Sequence, residues 1–356
     1  MFLLRVLLWP FAKLFRIITG IRNYLYNIGY SRVVEFEVGL IGIGNLIAGG
    51  AGKTPMVEYL IRLLKEKHAI ATLSRGYGRS SKGYRLASEN ENAKTIGDEP
   101  YQLFKKFGSA VPVSVGEERI MAVPYLLQEH PEIKIILLDD AYQHRQIKAD
   151  FQILMTEYGR PFFKDQLLPL GRLRESAYEA KRADVIVVSK CPDIFTIHEE
   201  LFYTKEIRKY AGDEKPVFFS SLVYDAPVQF KGEAKELGKD IVLLTGIANP
   251  EPFKSYLEQN NFTIHKHFKF PDHHRFSLKD LKSVNHFITE SSTTLQLITT
   301  EKDMVRLLEP ALLQALQNVS AFCIPVKMQF IRDGSIFDNL LLNLADELVN
   351  RQAVHE

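Results

Sequence analysis

The chain has 356 residues, which at roughly 150 residues per domain is enough for about two domains. An apolar fraction of 46% and a charged fraction of 25% indicate a globular protein and exclude a disordered or fibrous one. Lys plus Arg number 45 and Asp plus Glu 43, so a net charge of +2 argues against nucleic-acid binding across the whole surface. The two cysteines, Cys191 and Cys323, exclude a disulfide framework and favour a reducing, cytosolic compartment.

The first thirty residues combine basic and apolar side chains, and no acidic residue precedes Glu35. One sector of a helical wheel drawn for this segment collects Arg5, Lys13, Arg16, Asn23 and Asn27. Most of the large apolar side chains fall outside that sector, although Pro10 would bend the helix and Trp9 interrupts the polar face. This pattern predicts a basic amphipathic helix over residues 1–30 that lies on an anionic membrane surface.

Two alternatives to membrane binding apply to residues 1–30. The helix could pack on the core of the protein itself, or it could be a signal peptide. No small-residue cleavage site follows the apolar stretch, which argues against the signal peptide. No uncharged apolar run reaches the roughly 18 residues of a spanning helix, so we expect at most peripheral attachment.

A glycine-rich segment lies between a predicted strand at 35–43 and a predicted helix at 55–67. This order is typical of a phosphate-binding loop, in which backbone N–H groups at a helix N-terminus converge on phosphate oxygens. Lys53 would neutralise the β- and γ-phosphates, and the Thr54 hydroxyl would bind Mg²⁺. Ile47 replaces the usual first glycine, and a turn that binds nothing is the alternative. The predicted nucleotide-binding residues are Ala48, Gly49, Gly50, Ala51, Gly52, Lys53 and Thr54.

An apolar run at 133–138 ends in Asp139 and Asp140. Such a run predicts a buried parallel strand, and ligands collect at the carboxyl ends of these strands. An aspartate there can hold Mg²⁺ opposite Thr54, and a cation would relieve the repulsion between two adjacent carboxylates. The alternative is an aspartate pair that simply begins a loop.

Several further segments are rich in polar side chains. Asp98 and the histidines His273 and His274 are candidates for a general base acting on a hydroxyl, and arginines suit bidentate phosphate contacts. Each segment also fits an ordinary loop or helix cap, and spacing alone does not assemble them into one site. The segments are 73–79, 97–100, 143–145, 171–175, 271–274 and 300–303.

Strand-like runs alternate with helical patterns through most of the chain, which predicts a mainly parallel sheet covered by helices. In the first part we expect strands near 36–43, 68–73, 110–115, 133–139, 151–156, 184–189 and 216–224. After a polar stretch at 225–239, strands near 241–244, 263–270, 294–299 and 321–330 predict a smaller α/β unit. The predicted divisions are 1–30, 31–224, 225–331 and a C-terminal helix at 332–356, whose packing partner the sequence leaves open.

With these motifs in view, the chain resembles the tetraacyldisaccharide 4′-kinase family, the lipid A kinases of Gram-negative bacteria. The similarity runs over nearly the whole chain, and Ala141 departs from the glycine usual after the aspartate pair. The resemblance implies a P-loop NTPase-like α/β/α sandwich with a second, smaller α/β domain and a membrane-associating N-terminal helix. It rests on the N-terminal helix and on the motifs at 44–55, 73–77, 97–100, 138–144, 171–175, 270–274 and 300–303.

The resemblance also implies an activity and its partners. The expected reaction transfers the γ-phosphate of ATP, with Mg²⁺, to the 4′-hydroxyl of a tetraacyldisaccharide 1-phosphate, an acylated glucosamine disaccharide lipid, forming lipid IVA in lipid A (lipopolysaccharide) biosynthesis. The expected location is the cytoplasmic face of the bacterial inner membrane, with peripheral attachment and no nucleic-acid partner.

Residue roles follow from the resemblance, position by position. Asp98 is expected to take the hydroxyl proton with assistance from His273, chosen over His274 by motif alignment. Lys53, Arg174 and Arg119 are expected near the phosphates. The expected metal-binding residues are Thr54, Asp139, Asp140 and Glu175.

Three other functions compete with a lipid kinase. A membrane-associated ATPase of the partitioning class shares the loop, but its signature lysine before the glycine pair is Ala48 here, and its membrane helix is usually C-terminal. A nucleotide-gated lipid-binding module would not need Asp98 or His273. A nucleic-acid motor would need a basic stripe beyond the first 30 residues, and none is present.

Overall fold

The structure is a computed structural model that describes residues 2–234 and 236–353. Met1 of the predicted N-terminal helix, Lys235 of the polar stretch and residues 354–356 of the predicted C-terminal helix lie outside this description. The helices are α1 Phe2–Asn27, α2 Lys53–Leu64, α3 Ala93–Ile96, α4 Asp98–Phe107, α5 Arg119–Glu129, α6 Ile197–Ala211, α7 Glu251–Gln259, α8 Leu278–Thr289, α9 Glu301–Leu307, α10 Pro310–Ala315 and α11 Gly334–Ala353. The strands are β1 Gly39–Asn45, β2 Ile70–Ser74, β3 Arg85–Leu86, β4 Val113–Val115, β5 Ile135–Asp139, β6 Phe151–Glu157, β7 Val185–Ser189, β8 Val217–Tyr224, β9 Val228–Lys231, β10 Asp240–Thr245, β11 Thr263–Lys269, β12 Gln296–Thr300, β13 Ala321–Ile324 and β14 Val326–Phe330.

In the described part of the chain, nine strands form the larger sheet in the order β14-β8-β7-β6-β1-β5-β2-β4-β3. The strands from β8 to β4 run parallel, and the edge strands β14 and β3 run antiparallel to their neighbours. Alternate side chains of β1 belong to different buried clusters: Ile41 shares one with Met56 of α2, and Leu40 shares another with Val123 of α5. Apolar cover on both faces explains why this strand is buried along its length. The predicted α/β/α architecture is confirmed.

The smaller sheet has, among the described residues, five strands in the order β11-β10-β12-β13-β9. All its pairings are parallel except that of β9 with β13. Leu243 of β10 packs with Phe253 and Leu257 of α7, whereas Leu244 packs with Leu281 of α8 on the other face. This sheet is therefore a second α/β unit with its own core.

The predicted strand at 321–330 is in fact two strands in different sheets. Residues 321–324 pair with β12, and residues 326–330 pair with β8 of the larger sheet. Pro325 stands between them and has no N–H with which to continue a ladder. Its carbonyl accepts a hydrogen bond from the Asp225 N–H at 2.9 Å, so the two segments that cross between the sheets lie side by side. The smaller sheet thus ends before the predicted boundary at 331.

The C-terminal helix α11 packs on the larger domain, which answers the question that the sequence left open. Leu341, Ala345 and Leu348 belong to the same buried core as Ile41. The Tyr59 hydroxyl of α2 donates to Asp338 Oδ1 at 2.6 Å.

The N-terminal helix α1 is anchored at its end and exposed over most of its length. Leu7, Phe11 and Ile17 are 65%, 63% and 57% exposed, whereas Asn23 is 3% exposed. The exposed apolar side chains do not match a helix packed wholly on the protein's own core. Within residues 2–234 and 236–353, no helix is both long and apolar enough to span a bilayer.

Candidate active site

The glycine-rich loop joins the end of β1 to the start of α2, as the sequence predicts. Gly49 has φ +129° and Gly52 φ +78°, a region of backbone space that favours glycine. A Cβ added at Gly49 would meet no atom within 4 Å, so the space above the loop is open. Ile47 is buried and bridges Leu173 on an antiparallel segment. This pairing accounts for a branched apolar residue where the usual loop has its first glycine.

Polar groups outside the loop hold its backbone in place. Ser189 Oγ donates to the Ala51 carbonyl at 2.9 Å, and Lys190 Nζ donates to the Gly50 carbonyl at 2.6 Å. The Ala48 N–H donates to the Arg172 carbonyl at 2.8 Å. The predicted loop residues 48–54 therefore form one supported turn, with Lys53 and Thr54 in the first turn of α2.

Asn45 shapes the loop from the end of β1, a role that the sequence reasoning did not assign. Its side-chain NH₂ donates to the Ile47 carbonyl at 2.6 Å, and its Oδ1 accepts from Lys53 Nζ at 3.2 Å. Gln143 Nε2 donates in turn to the Asn45 carbonyl at 2.9 Å. A Gly-Asn pair directly before the loop was the signal available in the sequence.

Asp140 lies between two cations. Its Oδ1 is 3.2 Å from Lys53 Nζ and 3.1 Å from Arg174 Nη1. Burial raises the pKa of this carboxyl, but the charges of Lys53 and Arg174 outweigh burial and lower the pKa to about 2. The structure thus brings together Lys53, Asp140 and Arg174 from three separate predicted motifs.

Asp139 has the opposite environment although it is the adjacent residue. It is 7% exposed, and its Oδ1 accepts the Asp140 N–H at 2.9 Å. Burial raises the pKa of Asp139 to about 6, against the lowering effect of the Lys53 charge. A buried carboxylate with a raised pKa is stabilised when a cation binds beside it.

Arg119 is predicted to lie near the phosphates, and its guanidinium contacts the backbone of the aspartate pair, Asp139 and Asp140. It is 3% exposed, and it donates to the main-chain carbonyls of Asp139 and Asp140, the latter at 3.3 Å. Burial lowers the pKa of Arg119 to about 10. Its hydrogen bonds therefore position the backbone of the turn.

Glu175 is a predicted metal-binding residue, and the contacts of its Oε2 atom are with other side chains of the protein. The side chain is 1% exposed, and its Oε2 accepts from Asn23 Nδ2 at 2.9 Å and from Arg182 Nη2 at 2.7 Å. Glu175 therefore joins the anchored end of α1 to the larger domain. Its neighbour Arg174, by contrast, faces Asp140.

Asp98 is the first residue of α4 and lines a cavity between the larger and the smaller domain. Its Oδ2 lies 3.5 Å from His273 Nδ1. Burial raises the pKa of Asp98, but hydrogen bonds from His273 and Arg306, with the charges of Arg306 and Lys302, outweigh burial and lower it. His274 instead lies 3.1 Å from Asp280 within its own domain. Of the two histidines, His273 is the one that meets Asp98.

Sequence reasoning missed Arg306, the closest cation to Asp98. Its Nη2 is 2.7 Å from Asp98 Oδ2, and its Nη1 is 3.0 Å from Asp303 Oδ1. Arg306 stands one helical turn beyond Asp303 of the polar segment at 300–303. That spacing was the available signal.

The candidate residues converge because β1, β5 and β2 are neighbouring parallel strands in the sheet. Their carboxyl ends carry the glycine-rich loop, the aspartate pair and the segment that starts at Arg75. A cavity of about 220 Å³ extends from Asp98 between the domains. Tyr77, His273 and Arg306 are among its lining residues.

Comparison with known proteins shows similarity to one kinase family over nearly the whole chain. The family model described as tetraacyldisaccharide-1-P 4′-kinase (LpxK) matches residues 4–345. The tetraacyldisaccharide 4′-kinase of Flavobacterium johnsoniae is 42% identical over 349 residues, covering 97% of this chain and 98% of that protein. That of Cytophaga hutchinsonii is 36% identical over 356 residues and covers 100% of both chains.

A solved structure is also similar. LpxK from Aquifex aeolicus, crystallised in complex with ATP, has a TM-score of 0.74 and 27% sequence identity, covering 96% of this chain and 99% of that one. The agreement of fold, motif order and sequence is not confined to the phosphate-binding loop. The chain therefore belongs to the tetraacyldisaccharide 4′-kinase family.

Proposed function

We propose that this kinase transfers the γ-phosphate of ATP to the 4′-hydroxyl of an acylated glucosamine disaccharide 1-phosphate lipid, forming lipid IVA. The observation that carries the proposal is the presence of two carboxylate sites, one beside the phosphate-binding loop and one at the cavity between the domains. Asp140 contacts Lys53 of the phosphate-binding loop, and Asp98, whose pKa is lowered, faces the inter-domain cavity. The first arrangement suits a nucleotide and the second a hydroxyl that must lose a proton.

The phosphate end of the cleft holds ATP and Mg²⁺. Loop residues 48–54 present their N–H groups to the phosphates, and Lys53 and Arg174 balance the negative charge. Thr54 and the buried Asp139 would hold Mg²⁺, with Asp140 beside them. A Mg²⁺ ion held there would supply positive charge that offsets the charge of the phosphates. In the described part of the chain, no cluster of three or more histidine, cysteine or acidic side chains could hold a metal. Mg²⁺ commonly uses only one or two carboxylates and takes its other ligands from phosphates and water.

At the acceptor end, Asp98 removes the proton from the 4′-hydroxyl. As the hydroxyl oxygen forms a bond to the γ-phosphorus, the bond between that phosphorus and the ADP oxygen breaks, and the proton passes to Asp98. Lowering of the Asp98 pKa by His273 and Arg306 keeps the carboxyl ionised at neutral pH. Ionisation is the state that a general base requires.

The helix α1 holds the enzyme at the cytoplasmic face of the inner membrane. Its exposed apolar side chains, such as Leu7, Phe11 and Ile17, suit the interface of a bilayer. Its last turns are tied to the site, because Arg145 Nη1 donates to the Asn23 carbonyl at 3.0 Å and Asn23 donates to Glu175. This arrangement supports attachment of the enzyme to the bilayer that holds the acyl chains of the acceptor.

The test is a transfer assay with purified full-length protein, γ-labelled ATP, Mg²⁺ and a detergent-dispersed tetraacyldisaccharide 1-phosphate. A labelled bis-phosphorylated lipid is the expected product. Release of labelled phosphate without labelled lipid would contradict the proposal and favour the ATPase alternative. Lys254→Ala is a matched control, since Lys254 is an exposed lysine of the smaller domain that pairs with Glu258 at 3.6 Å.

A further inference from the structure

Arg306 reaches from the smaller domain to Asp98 of the larger one. It lies on α9, is 9% exposed, and directs both Nε and Nη2 to Asp98 Oδ2 at 2.7 Å. Its third nitrogen, Nη1, donates to the Gly246 carbonyl at 2.9 Å and to Asp303 Oδ1 at 3.0 Å. Every guanidinium nitrogen of Arg306 is therefore engaged.

Arg306 is itself held rigidly. Asp303 Oδ2 accepts hydrogen bonds from the Gly246 N–H at 3.0 Å and from the Thr300 hydroxyl at 2.8 Å, and Asp303 is fully buried. The guanidinium plane is thus determined by the loop after β10 and by the first turn of α9. An arginine fixed in this way adds geometric specificity as well as charge.

From these contacts we infer that Arg306 is a positioning residue for phosphoryl transfer: it orients Asp98 as the base and completes the acceptor end only when the two domains are together. The inference rests on the proposed role of Asp98. Arg306 Nε, Arg306 Nη2 and His273 Nδ1 all contact the Oδ2 atom of Asp98. The other oxygen, Oδ1, is then the atom that receives the hydroxyl proton.

The charged groups around Asp98 come from three segments. Arg306 and Lys302 lie on α9, His273 follows β11, and Glu99 is the next residue on α4. Lys302 Nζ is 3.0 Å from Glu99 Oε1 and 3.3 Å from His273 Nε2. Arg306 Nη2 lies at the same distance, 3.3 Å, from His273 Nδ1, so that cationic donors face both ring nitrogens. Arg275 and the paired Lys94 and Glu309 line the same cavity.

The experiment compares full-length wild-type enzyme with Arg306→Gln and Arg306→Lys, using Arg332→Gln as the control. Arg332 is a half-exposed arginine that pairs with Glu200 at 2.5 Å. The pH dependence of kcat is measured together with the KM for ATP. We expect Arg306→Gln to lower kcat at pH 7 about tenfold. On the acidic side of the profile of kcat against pH, the fall in kcat (the acidic limb) should move to a pH about one unit higher, because an adjacent arginine lowers an aspartate pKa by roughly 1–3 units. The KM for ATP should change less than about twofold, since the contacts of Arg306 are with Asp98, Gly246, Asp303 and His273 rather than with the phosphate-binding loop.

A purely structural role would give a different result. A lower melting temperature with an unmoved acidic limb, or a loss expressed mainly in the KM for ATP, would overturn the inference. Arg306→Lys keeps the charge but cannot place two nitrogens on Oδ2, so its acidic limb should move less than that of Arg306→Gln while kcat still falls. If Arg306→Gln does not fold, the lysine variant decides, and a wild-type pH profile and kcat there would overturn the inference.

A second measurement separates this inference from the kinase assignment. The pKa of the Asp98 carboxyl can be followed by carbon-13 NMR of aspartate-labelled protein, with Asp98→Asn used for assignment. An upward move of the Asp98 pKa in Arg306→Gln supports the inference, and an unchanged pKa overturns it. Failure of the wild-type enzyme to label the lipid would instead refute the proposed function.

Discussion

The two ends of the cleft differ in how they are built. At the phosphate end, Lys53, Asp140 and Arg174 all belong to the larger domain, and the loop is held by Ser189 of the same sheet. At the acceptor end, Asp98 of the larger domain is held by Arg306 and His273 of the smaller one. Moving the domains apart would therefore leave the phosphate end intact and dismantle the acceptor end. The difference implies that nucleotide binding and hydroxyl activation respond separately to domain position.

The largest effect should follow loss of the loop lysine. We expect Lys53→Ala to reduce phosphoryl transfer on the order of 1000-fold, because the charge that balances the β- and γ-phosphates is lost. The variant also leaves Asp140 with one cation fewer. The labelled-lipid assay measures the change, and Lys254→Ala should retain wild-type activity. Transfer within tenfold of wild type would show that the phosphate end does not depend on this lysine.

A smaller loss, confined to the acceptor end, is expected for Asp98→Ala. Removal of a general base lowers kcat by about 100-fold, while ATP should bind as before because Asp98 does not contact the loop lysine. Steady-state kinetics combined with ATP titration by calorimetry measures both quantities. If Asp98→Ala weakened ATP binding as much as it lowers kcat, Asp98 would act on the nucleotide as well as on the acceptor hydroxyl, and the two ends of the cleft would not be separate.

The environment of Asp139 at the phosphate end can be tested by measuring how the free energy of unfolding depends on pH. Because the folded-state pKa of Asp139 is about 6, above its ordinary value, the Mg²⁺-free protein loses stability as pH rises toward 6, and the penalty is complete above it. Asp139→Asn removes that penalty and should raise the free energy of unfolding by about 3 kcal/mol at pH 8. Chemical denaturation at pH 5 and pH 8, with and without Mg²⁺ and ATP, measures the effect. A gain at pH 5 as large as that at pH 8 would contradict the assigned cause.

The smallest effect is expected on binding of the protein to the membrane that holds the acceptor lipid. Replacing the exposed Leu7, Phe11 and Ile17 by serine should weaken binding to anionic vesicles about tenfold without changing the folding of the larger domain. Vesicle sedimentation gives the partition coefficient. The variant retains Asn23, whose hydrogen bond to Glu175 a deletion of the whole helix would remove. Undiminished sedimentation would locate the membrane contact elsewhere.

Site residues whose partners lie nearby in the sequence were predictable, and those whose partners lie far along the chain were not. The loop at 48–54 and the strand before Asp139 were predictable, because a strand, a turn and a helix in sequence determine where their side chains lie. The roles expected for Glu175 and Arg119 stay predictions, and the sequence did not indicate the contacts these side chains make, of Glu175 with Asn23 and of Arg119 with the Asp139 carbonyl. The predicted strand at 321–330 failed at Pro325, where the chain changes sheets.

By itself, the sequence determined the α/β alternation, the phosphate-binding loop and the aspartates at a strand end, because these depend on local periodicity and on the order of neighbouring segments. Only the tertiary structure decided which histidine meets Asp98, that Arg306 joins it, and that α11 packs on the larger domain. The Asp98–Arg306 contact joins positions 208 residues apart, and the Tyr59–Asp338 hydrogen bond of α11 joins positions 279 residues apart. No local preference encodes such pairings, which arise when two independently packed cores bring their edges together.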